Sequence, residues 1–377
     1  MIGLWKWSKT AVSRDEGHSW TPLADVPTLV MAGAKIWGQR TPDGRWALVY
    51  NPVFDNKHRW PLALVSSGDG VSFDHLLAVN GEVPPRRYSG VLKDYGTQYV
   101  RGIAEGNGRP PGDVFWVAYS MNKEDIWVSR IPVPLKGEEA DTVDDSFGPD
   151  RADNGSAPWH TYSPLWAPVE VAPHPTEENH SLRLADRDPH DYAMAARIFP
   201  ESTKLAIDLR LQAAQNSHGQ LFIEVQDRRG LPAVRIIFDD DGQIKFKYCG
   251  MLFDLTGYQA DAWYELRIVL DTAIGRYNIT LNGEEAIKAI YPRPEKDSDE
   301  ESPPDDDPDI LYRDLPGYLI NAVSSVERLV LRTGPARTQP TTETTPFRST
   351  LSSDLANADE PVKEAVFYLN HLRVTPR

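Results

Sequence analysis

Apolar residues along this chain recur mostly at every second position in short runs, and Gly, Pro, Asn and Asp stand between the runs. Alternate side chains of a strand face opposite sides of a sheet, so this pattern predicts stacked antiparallel strands; few windows carry a helical period. In the first third the expected strands are Lys35–Trp37, Arg45–Tyr50, Leu62–Ser66, Val114–Tyr119 and Ile126–Ile131. A second series includes Leu205–Leu211, Leu221–Asp227, Ala233–Asp239, Gln243–Tyr248, Trp263–Asp271, Tyr277–Leu281, Ser325–Arg332 and Val366–Val374. The polar stretch between the two series divides the chain into an all-β domain at 1–135, a linker at 136–159 and a second all-β domain at 160–377. Arg228-Arg229-Gly230 and Asp240-Asp241-Gly242 are hairpin turn signals within the second series.

Residues 295–309, EKDSDEESPPDDDPD, bury too little to order themselves and are expected to be a solvated insertion between strands. Their acids lack the spacing and the glycine of a calcium loop. The Thr-, Ser- and Pro-rich stretch 335–360 reads as a second exposed excursion.

Composition narrows the function. The 377 residues carry a formal charge of −15, which argues against nucleic acid as a partner while leaving room for a locally basic cleft. The one cysteine, Cys249, excludes an intrachain disulfide and a CxxC site. No apolar run is long enough to span a membrane, and residues 1–8 lack the features of a signal peptide. Histidine and carboxylate spacings suggest no metal, and no cofactor is expected. Asn154, Asn179 and Asn278 begin glycan-acceptor sequons, a weak pointer to secretion.

Ser13-Arg14-Asp15-Glu16-Gly17-His18-Ser19-Trp20 fits S-x-D-x-G-x-[S/T]-W at every fixed position. An Asp there accepts hydrogen bonds across a tight turn, Gly supplies the positive φ, and Trp packs beneath. About fifty residues on, Ser67-Gly68-Asp69-Gly70-Val71-Ser72-Phe73 repeats the turn with Phe in place of Trp, a spacing that suits propeller blades. The two turns resemble the Asp-boxes, or BNR repeats, of sialidase-like β-propellers, in which Asp15 and Asp69 would be structural. The strings KIWGQRTPDGRWALVYNP, RWPLALVSSGDGVSF, YGTQYVRGI and YSMNKEDIWVSRIPVP resemble one microbial branch, which includes propeller α-L-rhamnosidases and rhamnosyl–glucuronate lyases. Trp263-Tyr264-Glu265-Leu266 and the strand from Tyr277 to Gly283 resemble paired strands of concanavalin-like jelly rolls. The resemblance implies a partial sialidase-like propeller of two to three blades followed by a jelly-roll β-sandwich. It also implies further blades ahead of residue 1, so the chain is expected to be the C-terminal portion of a longer, extracellular protein.

Three clusters offer chemistry. Gln39, Arg40 and Asn51 suit sugar hydroxyls or a carboxylate, or else tie blades together. Tyr99 and Arg101 share one strand face by period two; Arg101 either grips a substrate carboxylate or makes an inter-blade salt bridge. Asn122, Lys123 and Glu124 lie between two apolar strands. There Asn122 would bind hydroxyls while Lys123 and Glu124 assist a lyase or a hydrolase, unless the three form a plain polar hairpin tip. The function expected is that of an exo-acting glycoside hydrolase or polysaccharide lyase on a rhamnose- and uronate-containing oligo- or polysaccharide. The rivals are a non-catalytic carbohydrate-binding module and an interaction scaffold.

Overall fold

A computed structural model describes the chain except for residues 27, 32, 55–57, 85, 89–94, 104–113, 149–157, 249, 288–316 and 335–359. The acidic insertion 295–309, the stretch 335–360 up to residue 359, Cys249 and the Asn154 sequon lie outside the described residues. The described residues fall into two units, 1–137 and 138–334 with 360–377. No helix among them is long and apolar enough to cross a membrane.

The first unit holds three small sheets in chain order. β1 (Ile2–Trp5), β2 (Lys9–Val12) and β3 (Ala24–Asp25) form the first. β4 (Trp37–Arg40), β5 (Trp46–Tyr50), β7 (Leu62–Ser67) and β8 (Asp74–Asn80) form the second, in the order β4-β5-β7-β8. The third runs β11-β10-β9-β6, from β6 (His58–Arg59), β9 (Tyr95–Gly102), β10 (Val114–Met121) and β11 (Asp125–Pro132). The second sheet is covered on both faces. Ala47, Val49, Leu62 and Leu64 meet Val100, Phe115, Val117 and Tyr119 of the third sheet. Leu48, Tyr50 and Val65 on the other face meet Leu29 and Met31. A strand buried on both faces reads as a continuous apolar run, which is why β7 shows no alternation.

The two recurrent turns are built as their residues require. Asp15 accepts from Ser13 Oγ at 2.8 Å, Ser19 N at 2.9 Å and Ser19 Oγ at 2.5 Å, and these bonds hold its pKa at about 2. Asp69 accepts from Ser72 N, Val71 N and Ser67 Oγ, with the same consequence. Trp20 departs from expectation: it stays 42% exposed, with its indole N–H on Gly17 O and its ring edge-on to Trp5.

The second unit is a β-sandwich. Its strands are β12 (Val143–Ser146), β13 (Trp159–Tyr162), β14 (Val169–Thr176), β15 (Asn179–Asp186), β16 (Met194–Ser202), β17 (Lys204–Ala213) and β18 (Leu221–Gln226). They continue with β19 (Pro232–Phe238), β20 (Gln243–Tyr248), β21 (Met251–Gly257), β22 (Trp263–Asp271), β23 (Arg276–Leu281), β24 (Glu284–Ile287), β25 (Val326–Thr333) and β26 (Ala365–Pro376). One sheet runs β14-β15-β26-β17-β22-β23-β24, with β12 also on β26; the other runs β13-β16-β25-β18-β19-β20-β21. Leu205, Ile207, Leu209 and Leu211 of the first face inward against Ile223, Val225, Leu329 and Leu331 of the second. Each such side chain contributes roughly 1.5–3 kcal/mol by leaving water. The hairpins at Gly230 and Gly242 form where the sequence places them.

The fold class is the one expected, all-β: three small sheets in the first unit and a two-sheet sandwich in the second. The stretch 136–159 is more than a linker. β12 pairs with β26, and its inward Val143 and Asp145 alternate with outward polar residues too briefly to stand out in sequence.

Candidate functional site

β9 carries the centre of the site. Tyr99 and Val100 together oppose Tyr119 of β10, a bulge that breaks the ladder between Ala118 and Ser120. Tyr99 takes the left-handed φ of 56°, unfavourable for a residue with a Cβ, and is 47% exposed. The bulge therefore turns a phenol outward.

Three cations from separate elements surround that phenol. Lys35 Nζ lies 5.7 Å from the ring centroid, Lys123 Nζ 5.7 Å and the Arg59 guanidinium 5.8 Å, each within reach of the ring quadrupole. Arg59 arrives because β6 runs parallel to β9, with Arg59 opposite Gly96. A Cβ on Gly96 would stand 2.6 Å from Arg59 O, so glycine alone allows this approach. Lys123 arrives on the turn from Met121 to Glu124, closed by Glu124 N to Met121 O at 2.9 Å. Asn122 and Lys123 both have positive φ there, the geometry of a type I′ hairpin turn.

The other expected residues are placed around this centre in supporting positions. Asn122 is fully buried: its Oδ1 accepts from Gly96 N at 2.8 Å and its Nδ2 donates to Pro84 O at 2.9 Å, which pins the Lys123 turn to β9. Asn51 is 3% exposed and donates to Arg59 O, Pro61 O and Thr97 Oγ1 at 3.0–3.1 Å. It ties β5 to the strands that carry Arg59 and Tyr99. Asn122 was expected to bind hydroxyls or sit in a plain polar hairpin tip, and Asn51 to bind hydroxyls or tie blades together; burial commits both to protein partners. Glu124, expected to assist catalysis, has a 2% exposed side chain that accepts from Arg87 N and Tyr88 N at 2.9–3.1 Å. Its carboxylate anchors the chain before residue 89, while Asp125 takes Arg87 Nη2 at 2.6 Å.

Arg101 is not at the phenol. Its guanidinium lies 5.7 Å from the Trp37 ring, whose Nε1 donates to Gln39 Oε1 at 2.7 Å. A Cβ on Gly102 would overlap that Trp37–Gln39 pair, so glycine again opens the space. Arg40 points away from both and donates to Gly44 O within its own turn. Sequence reasoning missed Lys35 and Arg59, which come from a strand approach and a two-residue strand and share no spacing with Tyr99.

The arrangement groups three positive charges on an aromatic ring within a chain of charge −15. Such a group suits a carboxylate-bearing ligand with an apolar face. Among the described residues no cluster of His, Cys, Asp and Glu is arranged to hold a metal ion.

Comparison with known proteins bears on the same chemistry. Residues 159–298 match the family model described as "Sialidase-like, CBM domain". No curated protein matches the sequence. Among solved structures, one described as "Sialidase" is 35% identical with a TM-score of 0.84, covering 100% of this chain and 31% of its own. The chain thus spans about a third of that protein's length. A Trypanosoma rangeli sialidase in complex with sialic acid is 8% identical (TM-score 0.35; 100% of this chain, 57% of its own). The carbohydrate binding module CBM66 from Bacillus subtilis is 9% identical (TM-score 0.30; 58% and 95%). Residues 159–298 therefore resemble a sialidase-like CBM domain, within a chain similar over its whole length to part of a sialidase.

Proposed function

We propose that this chain binds an acidic glycan containing rhamnose and uronic acid, as part of a longer extracellular exo-acting glycoside hydrolase or polysaccharide lyase. The observation that carries the reading is the exposed Tyr99 ring flanked by Lys35, Arg59 and Lys123. A uronate would set its carboxylate among the cations and its apolar ring face on the phenol, while Arg101 and Gln39 flank it. Fold alone assigns no activity, so the reading rests on this group and on the module match at 159–298.

The geometry of Glu124 favours a binding role over catalysis for this portion of the protein. Its carboxylate is spent on backbone N–H groups and has no exposure from which to protonate a leaving group. The test is electrophoresis of the folded chain through native gels with and without gum arabic, a rhamnose–glucuronate polysaccharide. Retardation by the polysaccharide is expected, and Tyr99→Ala and Lys123→Gln should each reduce it. Equal mobility in both gels would overturn the reading.

A further inference from the structure

The outer face of the β14-to-β24 sheet carries a second group of aromatic and cationic side chains. Arg183, Tyr368, Gln212 and Trp263 stand in one row across β15, β26, β17 and β22. Their strands bury the alternate residues Leu184, Leu369, Leu211 and Tyr264, so this row faces away from the core. His174, from β14, stacks on Tyr368 with centroids 3.7 Å apart and lies 5.6 Å from Trp263. Gln212 Nε2 donates to Asp261 O at 2.6 Å, which leaves its Oε1 to accept from His174 Nε2. The imidazole is thus fixed beside the indole.

Arg210 distinguishes this group. Its guanidinium lies 4.6 Å from the Trp263 ring, and its Nη1 donates to Asn370 Oδ1 at 3.0 Å. Asn370 is the extra residue of a bulge in β26 and donates to His180 O and Ser181 Oγ, so the amide that holds Arg210 is itself held. The neighbouring arginines of this face are neutralised: Arg183 by Glu170 and Glu364, Arg267 by Asp208, and Arg373 by Asp144. Arg210 makes no ion pair among the described residues, even with its cross-strand neighbour Glu265. An oriented guanidinium stacked on an indole, without a carboxylate partner among the described residues, is built to receive a carboxylate from outside.

We propose that this patch is a second saccharide site, taking a uronate with its carboxylate on Arg210 and its ring against His174 and Trp263. It deepens the acidic-glycan reading and rests on it, but it uses residues of the other unit. The test is calorimetric titration of the full chain with a glucuronate-terminated oligosaccharide, in a Tyr99→Ala/Lys123→Gln background that removes the first site. Binding should persist there, and Arg210→Gln should weaken it at least about tenfold, or 1.4 kcal/mol. Asn370→Asp gives Arg210 an internal carboxylate at the cost of the hydrogen bond that Asn370 Nδ2 donates to His180 O, and should weaken binding by a similar factor, so it reads the site separately if Arg210→Gln unfolds. Unchanged affinity in folded Arg210→Gln or Asn370→Asp would overturn the second site. Loss of all binding in the Tyr99→Ala/Lys123→Gln background would overturn it too, while leaving the first site standing. Absence of binding by the unaltered chain would overturn both.

Discussion

Asp186 shows how burial of one side chain sets a pH response. Burial pushes its pKa up to about 6, against the smaller downward pull of hydrogen bonds from Thr333 Oγ1 and Asp188 N. In the unfolded chain the same carboxyl titrates near its ordinary value of 3.8. Between those values the folded protein holds a proton that the unfolded chain has released. The stabilisation is therefore full below about pH 4, falls as pH rises toward 6 and is flat above. Asp186→Asn has no such titration. Relative to the unaltered chain, its stability in urea should rise between pH 4 and pH 6 by on the order of 2 kcal/mol. Parallel stability curves for the two proteins would contradict this. Asp15 and Asp69 do not confuse the comparison, because their pKa values of about 2 place their own loss of stabilisation below that window. Residue-level expectation was uneven. Tyr99 was legible as a strand residue sharing a face with Arg101 and Lys123 as part of a polar hairpin tip, whereas nothing local distinguishes a buried Asn51 or Asn122 from a ligand-binding amide.

At the scale of elements, the two sheets of the sandwich are joined by more than apolar packing. Arg197 of β16 and Asp145 of β12 both face inward and meet at 2.8 Å, with side chains 7% and 5% exposed. Removing one partner leaves a buried charge alone, so Arg197→Met should cost about 3–5 kcal/mol, while Arg197→Met with Asp145→Leu should recover most of that loss. Chemical denaturation of the single and double variants decides it; a double variant no more stable than the single would contradict the account. This pair also explains what the sequence hid. β16 turns Ala195, Arg197 and Phe199 inward, and a small residue and a charge interrupt the apolar alternation that marks a strand. β8, an edge strand, has no fully buried residue and only half-buried ones such as Val79, and both residues of β3 are exposed. The long, cleanly alternating β17, β22 and β23 were legible for the opposite reason.

For the whole molecule, the charge of −15 and the candidate sites pull in opposite directions. A strongly acidic chain repels acidic glycans except where cations are gathered, as at Tyr99 and beside Trp263 at Arg210, which has no ion pair among the described residues. Neither group is written in a local motif. Lys35, Arg59 and Lys123 meet only after three strands and a turn have folded, as do His174, Arg210 and Tyr368. The recurrent turns at Asp15 and Asp69, by contrast, are local and were readable, but they speak to the fold and not to the ligand.

The central claim is that this chain recognises the carboxylate of an acidic sugar. Its most direct test is calorimetric titration of the intact chain with a glucuronate-terminated oligosaccharide and with the same oligosaccharide after reduction of its carboxyl to an alcohol. The account predicts binding of the acid form at least about tenfold tighter than of the reduced form. Equal affinity for the two, or no heat with either, would contradict it.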